Sequence, residues 1–146
     1  MATVSPCWNY TLHLPHDPRA PGIARGALRL ILAAHEMPEV TSTAELLATE
    51  LLTNSHRHTR GPYALRVCPA LIANGVRVAV WDTDPRVPPG FSPPGAPPPL
   101  DTEHGRGLHL VQACADTWGA SVLRELGASR GGKLLWAECG GGAGAW

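Results

Sequence analysis

The chain has 146 residues, 44% of them apolar and 16% charged, which suits one domain with a real core and excludes a disordered chain. Twelve basic and twelve acidic side chains cancel, so no basic surplus points to nucleic acid or a membrane surface as partner. The start, MATVSPCWNYTLHLPHD, lacks the charged and apolar regions of a secretory leader, and no stretch reaches the ~20 apolar residues of a spanning helix, so a cytoplasmic location is expected.

Trp8 to Leu14 alternates apolar and polar residues and predicts a strand. Ile23 to His35 carries Ile23, Ala27, Leu30, Ile31 and Ala34 at helical spacing, with Arg25 and Arg29 outward. A second helix is expected over Ala44 to Thr59, AELLATELLTNSHRHT, with Leu47, Leu51 and Ser55 on its apolar stripe. Thr41, Ser42 or Thr43 can cap its start, Glu45 suits its first turn, and Gly61-Pro62 stops it. Ala64–Leu71 and Val76–Trp81 read as strands joined by a turn at Ala73-Asn74-Gly75, where Asn-Gly supplies positive φ.

The stretch from Asp82 to His104 holds eight prolines between Pro85 and Pro99, which excludes a central strand or helix and marks a long functional or disordered loop. A helix returns over Leu108 to Ala115. Strands Trp118–Leu126 and Lys133–Cys139 flank a turn at Gly127–Gly132, and the glycine-rich tail from Gly140 to Trp146 is expected to be loose. Strands and helices do not alternate strictly, so the expected fold is an α+β two-layer sandwich. It has a mixed, mostly antiparallel five-stranded sheet with about three helices on one face. A single domain over 1–139 follows. Cys7, Cys68, Cys114 and Cys139 form no CxxC pair, so zinc is disfavoured and small buried hydrophobes are the default reading. Trp81, Trp118 and Trp136 are likewise assigned to the core.

Three local patterns carry chemistry. Glu50 and Asn54 lie one helical turn apart on the flank of the apolar stripe, with His58 one turn further. Asp82 closes a buried strand, and Gly105-Arg106-Gly107 opens a helix after the long loop. Glycines let a backbone approach phosphate oxygens, and free N–H groups at a helix start favour anions. An ionised Asp only accepts hydrogen bonds, so it can read the exocyclic amine of adenine and reject the keto group of guanine. An Asn oxygen is a hard ligand suited to Mg²⁺ beside phosphate oxygens. His56 and His58 point to different helix faces and make no metal pair, whereas His104 beside Gly105 is a candidate phosphate contact.

In this order the patterns resemble the GHKL (Bergerat-fold) ATP-binding superfamily, and within it RsbW-like anti-sigma-factor serine/threonine kinases and the small ATP-binding regulators of actinobacteria. Glu50 to His58 matches the N-box, Asp82-Thr83-Asp84-Pro85 stands at the first glycine box, and Gly105 to Val111 matches the second. Trp118-Gly119 and Gly132 to Glu138 look like the closing hairpin. The resemblance spans about residues 8 to 139. It implies Mg²⁺ on Asn54, a general base or hydroxyl-orienting role for Glu50, adenine reading by Asp82, and a phosphate cradle of Gly105, Gly107 and the backbone of Arg106 and Leu108. It also implies ATP as cosubstrate and a sigma factor and a STAS-type antagonist as partners, and it leaves a homodimer open. Two departures stand out: the first box has neither of its glycines, and Lys133-Leu134 stands where a Thr would give a second adenine contact. They keep a non-catalytic nucleotide-binding, or nucleotide-free, interaction module in play beside the kinase. A metabolic ATPase is disfavoured for want of a second domain.

Overall fold

Residues 7–72, 74–91, 106–124 and 131–140 are described by the structure, a computed structural model. In chain order they form β1 (Tyr10–Leu14), α1 (Ala20–Ala34), a 3₁₀ turn (Pro38–Val40), α2 (Thr41–His58), β2 (Tyr63–Pro69), β3 (Gly75–Asp82), α3 (Arg106–Cys114), β4 (Thr117–Arg124) and β5 (Gly131–Gly140). The sheet order is β1-β2-β3-β5-β4. All four pairings are antiparallel, so the mixed element of the expected sheet is absent among the described strands. Consecutive strands β2 and β3, and β4 and β5, are antiparallel neighbours, and the return of β5 beside β3 places the last described strand inside the sheet, with β4 at its edge.

Helix α2 is the centre of the second layer. It packs on β3, β5 and β2, with α1 and α3 against its sides. Its buried residues Ala44, Leu47, Ala48, Leu51 and Leu52 meet Val76, Val78, Val80, Leu135 and Ala137 of the sheet. Full burial of each such leucine or valine contributes about 1.5–3 kcal/mol before the entropy of ordering is set against it.

The first helix corrects one expectation. Its buried side chains are Ala20, Ala24, Leu28 and Leu32, while Ile23 and Leu30 are 63% and 74% exposed. Apolar residues surround most of this helix, so periodicity alone does not choose the face; the choice falls to the residues that can reach α2 and β1. Arg29 projects from the rim of α1 to Glu45 of α2, with Nε 3.0 Å from Oε2. The start of α2 is also different from the capping expected. The 3₁₀ turn runs straight into it, and Thr41 Oγ1 donates back to Met37 O at 3.2 Å instead of capping.

Trp81 and Trp136 are half-buried on the other face of the sheet, because Val80, Asp82, Leu135 and Ala137 take the inward phase. Trp136 lies over Gly119, where a Cβ would stand 2.6 Å from its ring. Of the cysteines only Cys139 is buried; Cys7, which precedes β1, and Cys114, which ends α3, are exposed, and Cys68 is half-exposed on the outward phase of β2.

This outer face has its own polar knot. Arg77 and Thr117 both stand in register with Glu138. Arg77 Nε donates to Glu138 Oε2 at 2.7 Å and Thr117 Oγ1 to Oε1 at 2.9 Å, with Leu71 N at 3.1 Å from Oε2. The Arg77 guanidinium also stacks 4.0 Å from the Trp136 ring centre. Burial alone would raise the Glu138 carboxyl, but the hydrogen bonds from Leu71, Arg77 and Thr117 outweigh it and hold the group below its ordinary 4.5. A carboxyl lowered in the folded state gives stability that is complete above the unfolded value and fades as pH falls through the folded one. Urea unfolding of Glu138→Gln is therefore expected to show a deficit against wild type at about pH 7 that narrows below about pH 4.5. A deficit independent of pH contradicts this assignment.

Candidate functional site

Site residues are gathered where the C-terminal half of α2 crosses the end of β3. Glu50 is half-buried on α2 and accepts no hydrogen bond among the described residues. Asn54, one turn on, is 8% exposed, and its Oδ1 has no hydrogen-bond partner among the described residues. A buried carbonyl oxygen without a donor loses its water at a cost of about 1–3 kcal/mol, so something in the working protein is expected to meet it. The donor chemistry is that of a hard cation ligand, and Mg²⁺ fits it.

Asp82 ends β3, where it was expected, but its carboxylate is already engaged. It has no exposed surface. Sheet register sets Asp82 directly opposite Lys133 of β5, and both point toward α2. Lys133 Nζ donates to Asp82 Oδ1 at 2.8 Å, to Oδ2 at 3.0 Å and to Asp84 O at 3.0 Å, so its three protons are all used. Ser55 Oγ donates to Asp82 Oδ2 at 2.6 Å, and Asp84 N donates to Oδ1 at 2.9 Å. Two donors on each oxygen fill the in-plane lone-pair sites of the carboxylate. The expectation of an open acceptor at Asp82 is thus not met in this conformation, for a reason the register makes plain.

The degraded first glycine box has a physical account as well. Asp84 N folds onto Asp82, and Arg86 N folds onto Asp84 Oδ1 at 3.0 Å, giving two successive Asx turns. The Arg86 side chain closes on the same carboxylate and lowers its pKa. Beyond it, Phe91 is buried in the core, and Gly90 has φ +89° with its carbonyl accepting from Trp118 Nε1 at 3.1 Å. A Cβ at Gly90 would overlap Gln112 of α3. The first ten residues of the proline-rich stretch are therefore pinned to α3 and β4.

Arg106 and Gly107 begin α3, and Leu108 is buried in the core, so any part Leu108 takes in binding anions belongs to its backbone. His104, Gly105, Pro93 to Pro99 and the tail 141–146 lie outside the described residues. Glu50, Asn54 and Asp82 are thereby brought to one region of the fold. Sequence reasoning missed Ser55 as a member of it, and took Lys133 only as the loss of a Thr contact near the base, not as the partner of Asp82. The signal was present: Lys133 shares the buried phase of its strand with Leu135, Ala137 and Cys139, and a lysine in that phase needs a partner.

Residues 14–136 match the histidine kinase-like ATPase domain, which covers most of the chain. The chain belongs to this family, the GHKL type, and its five-stranded antiparallel sheet with three helices agrees with that fold. A comparison with curated proteins finds no match. No described helix is long and apolar enough to cross a membrane.

The Asp82 network gives a direct stability test. Ser55→Ala removes the 2.6 Å donor from a carboxylate that water does not reach. Urea denaturation is expected to show a loss of about 1–3 kcal/mol. A loss under about 0.5 kcal/mol, the range of ordinary surface changes, contradicts the network as drawn.

Proposed function

We propose that the chain is an ATP-binding regulator: an anti-sigma factor with serine/threonine kinase activity toward a small antagonist protein. The observation that carries this reading is the pair on α2, a buried Asn54 oxygen without a donor and, one turn away, a Glu50 carboxylate without a partner among the described residues. Membership of the histidine kinase-like ATPase family supports ATP as the nucleotide.

When bound, Mg²⁺·ATP supplies the phosphoryl group and neutralises part of its charge. Asn54 Oδ1 holds the cation. Glu50 orients the antagonist's hydroxyl and accepts its proton as the new oxygen–phosphorus bond forms and the β–γ bridging bond breaks, with ADP leaving. Such transfer rests on positioning and charge neutralisation more than on covalent chemistry. One carboxylate, one cation ligand and a helix start from α3 suffice for that. The sigma factor is captured on a protein surface and needs no chemistry.

A second reading has its own support. The Asp82 carboxylate is saturated by Lys133, Ser55 and Asp84 N, and the first box lacks its glycines. These features favour a non-catalytic interaction module with weak nucleotide binding or none.

Two variants separate the readings. Glu50→Gln is expected to keep Mg·ATP binding within a few-fold and to lower phosphorylation of an antagonist, recovered by pull-down, by about 10²-fold or more. Asn54→Ala is expected to weaken both binding and transfer. Wild type that binds Mg·ATP and a sigma factor yet phosphorylates no captured antagonist overturns the kinase reading and leaves the binder.

A further inference from the structure

One residue of the site has its chemistry already spent. An adenine amino group reaching Asp82 needs a free acceptor, and all four lone-pair positions of that carboxylate are taken. Two of the four donors come from a single ammonium, that of Lys133. Ser55 and Asp84 N are fixed by α2 and by the Asx turn, whereas Lys133 stands on a flexible four-carbon stem. Ser55 Oγ can only turn about one bond beside the carboxylate, whereas the Lys133 ammonium, which supplies two of the four bonds, can swing well away with the helix and strands intact. Lys133 is 2% exposed, so its stem and ammonium also fill the space in front of Asp82.

We propose that Lys133 is a lock on the base end of the site, and that a nucleotide base reaches Asp82 only when the ammonium swings away. This deepens, and rests on, the reading of the site as one for an adenine nucleotide. Lys133 is then a specificity-determining residue. In the locked state the protein holds nucleotide through its cation and phosphate end, where Asn54 Oδ1 is free, and does not read the base. In the unlocked state Asp82 selects an exocyclic amine.

The size of the effect follows from populations. A site competent in a fraction of molecules binds more weakly by that fraction. A minor state populated at about 0.1–10% lowers apparent affinity by about 10- to 10³-fold. Lys133→Thr vacates the space and leaves a short hydroxyl, so it is expected to tighten Mg·ATP by about tenfold or more. Mg·GTP offers a keto oxygen to a carboxylate that only accepts, so it gains nothing.

Titration calorimetry of Mg·ATP and Mg·GTP on wild type, K133T and K133T/D82N tests the lock, with urea unfolding to confirm that each variant folds and K133A as the second variant. Wild type is expected to discriminate the two nucleotides by less than about threefold, K133T to prefer ATP by about tenfold or more, and D82N to abolish that gain. A ¹⁵N-lysine spectrum gives a reading on the unmutated protein. The buried, fully bonded Lys133 ammonium is expected to be protected from exchange in the free chain and to lose that protection at saturating Mg·ATP. A folded K133T that binds Mg·ATP no tighter than wild type, or protection that persists at saturation, overturns the lock and leaves the nucleotide site standing. No binding of either nucleotide to wild type or to any folded variant overturns the nucleotide reading and the lock together.

Discussion

A carboxylate with no exposed surface, an ammonium 2% exposed and a buried hydroxyl join β3, β5 and α2 at one point. The geometry is set by antiparallel register, which puts Asp82 opposite Lys133, and by the helical repeat that carries Ser55 on the same stripe as Leu47 and Leu51. Taking two charges out of water is costly, and only good geometry with every lone pair and proton met offsets it. Here each is met. Removing one partner from such a pair costs about 3–5 kcal/mol, because the other charge stays buried. The seam between the helix layer and the end of the central strands is therefore held by polar bonds of fixed direction, where leucine packing alone would tolerate sliding.

Most of the architecture was legible in the sequence because burial writes itself as periodicity. Leu47, Leu51 and Ser55 marked the inward face of α2, and Val76, Val78 and Val80 marked that of β3. What the pattern could not choose was a face on a helix apolar nearly all round, so α1 was rotated in the reading. Cys139 and Trp118 meet the core as expected, whereas Cys68, Trp81 and Trp136 do not, for a related reason: residue type predicts average burial, whereas strand phase decides the individual case. Glu50, Asn54 and Asp82 were found as candidates from their spacing. The state of Asp82 was not, since it depends on which residue of a strand 51 positions away stands opposite. That is a long-range fact, and the only local trace of it was a lysine in an apolar phase.

The loss of glycines after Asp82 changes how the loop leaves the sheet. A glycine-rich exit would stay free to adapt its backbone to a ligand. Here Asp82, Asp84 and Arg86 tie the exit into two turns, and Phe91 and Gly90 fasten it to the core, to α3 and to β4. Conformational freedom is thereby reduced over the first part of the proline-rich stretch, from Asp82 to Phe91. The base of the loop lies against α3, with the Gln112 side chain in the space beside Gly90.

The two ends of the site differ in a way that bears on regulation. At the cation end, Asn54 keeps a buried oxygen unspent, which is a standing cost in the free protein and a gain when a cation arrives. At the base end, Asp82 is fully spent, which is a gain in the free protein and a cost when a base arrives. A ligand that engages only the first end meets a ready site. A ligand that engages both must first break the ion pair that joins β3 to β5 and so loosens the seam under α2. On the proposed lock, binding at the base end would therefore be coupled to the packing of α2 on the sheet. The coupling needs no second domain and no moving lid; it needs one lysine to trade a carboxylate for water.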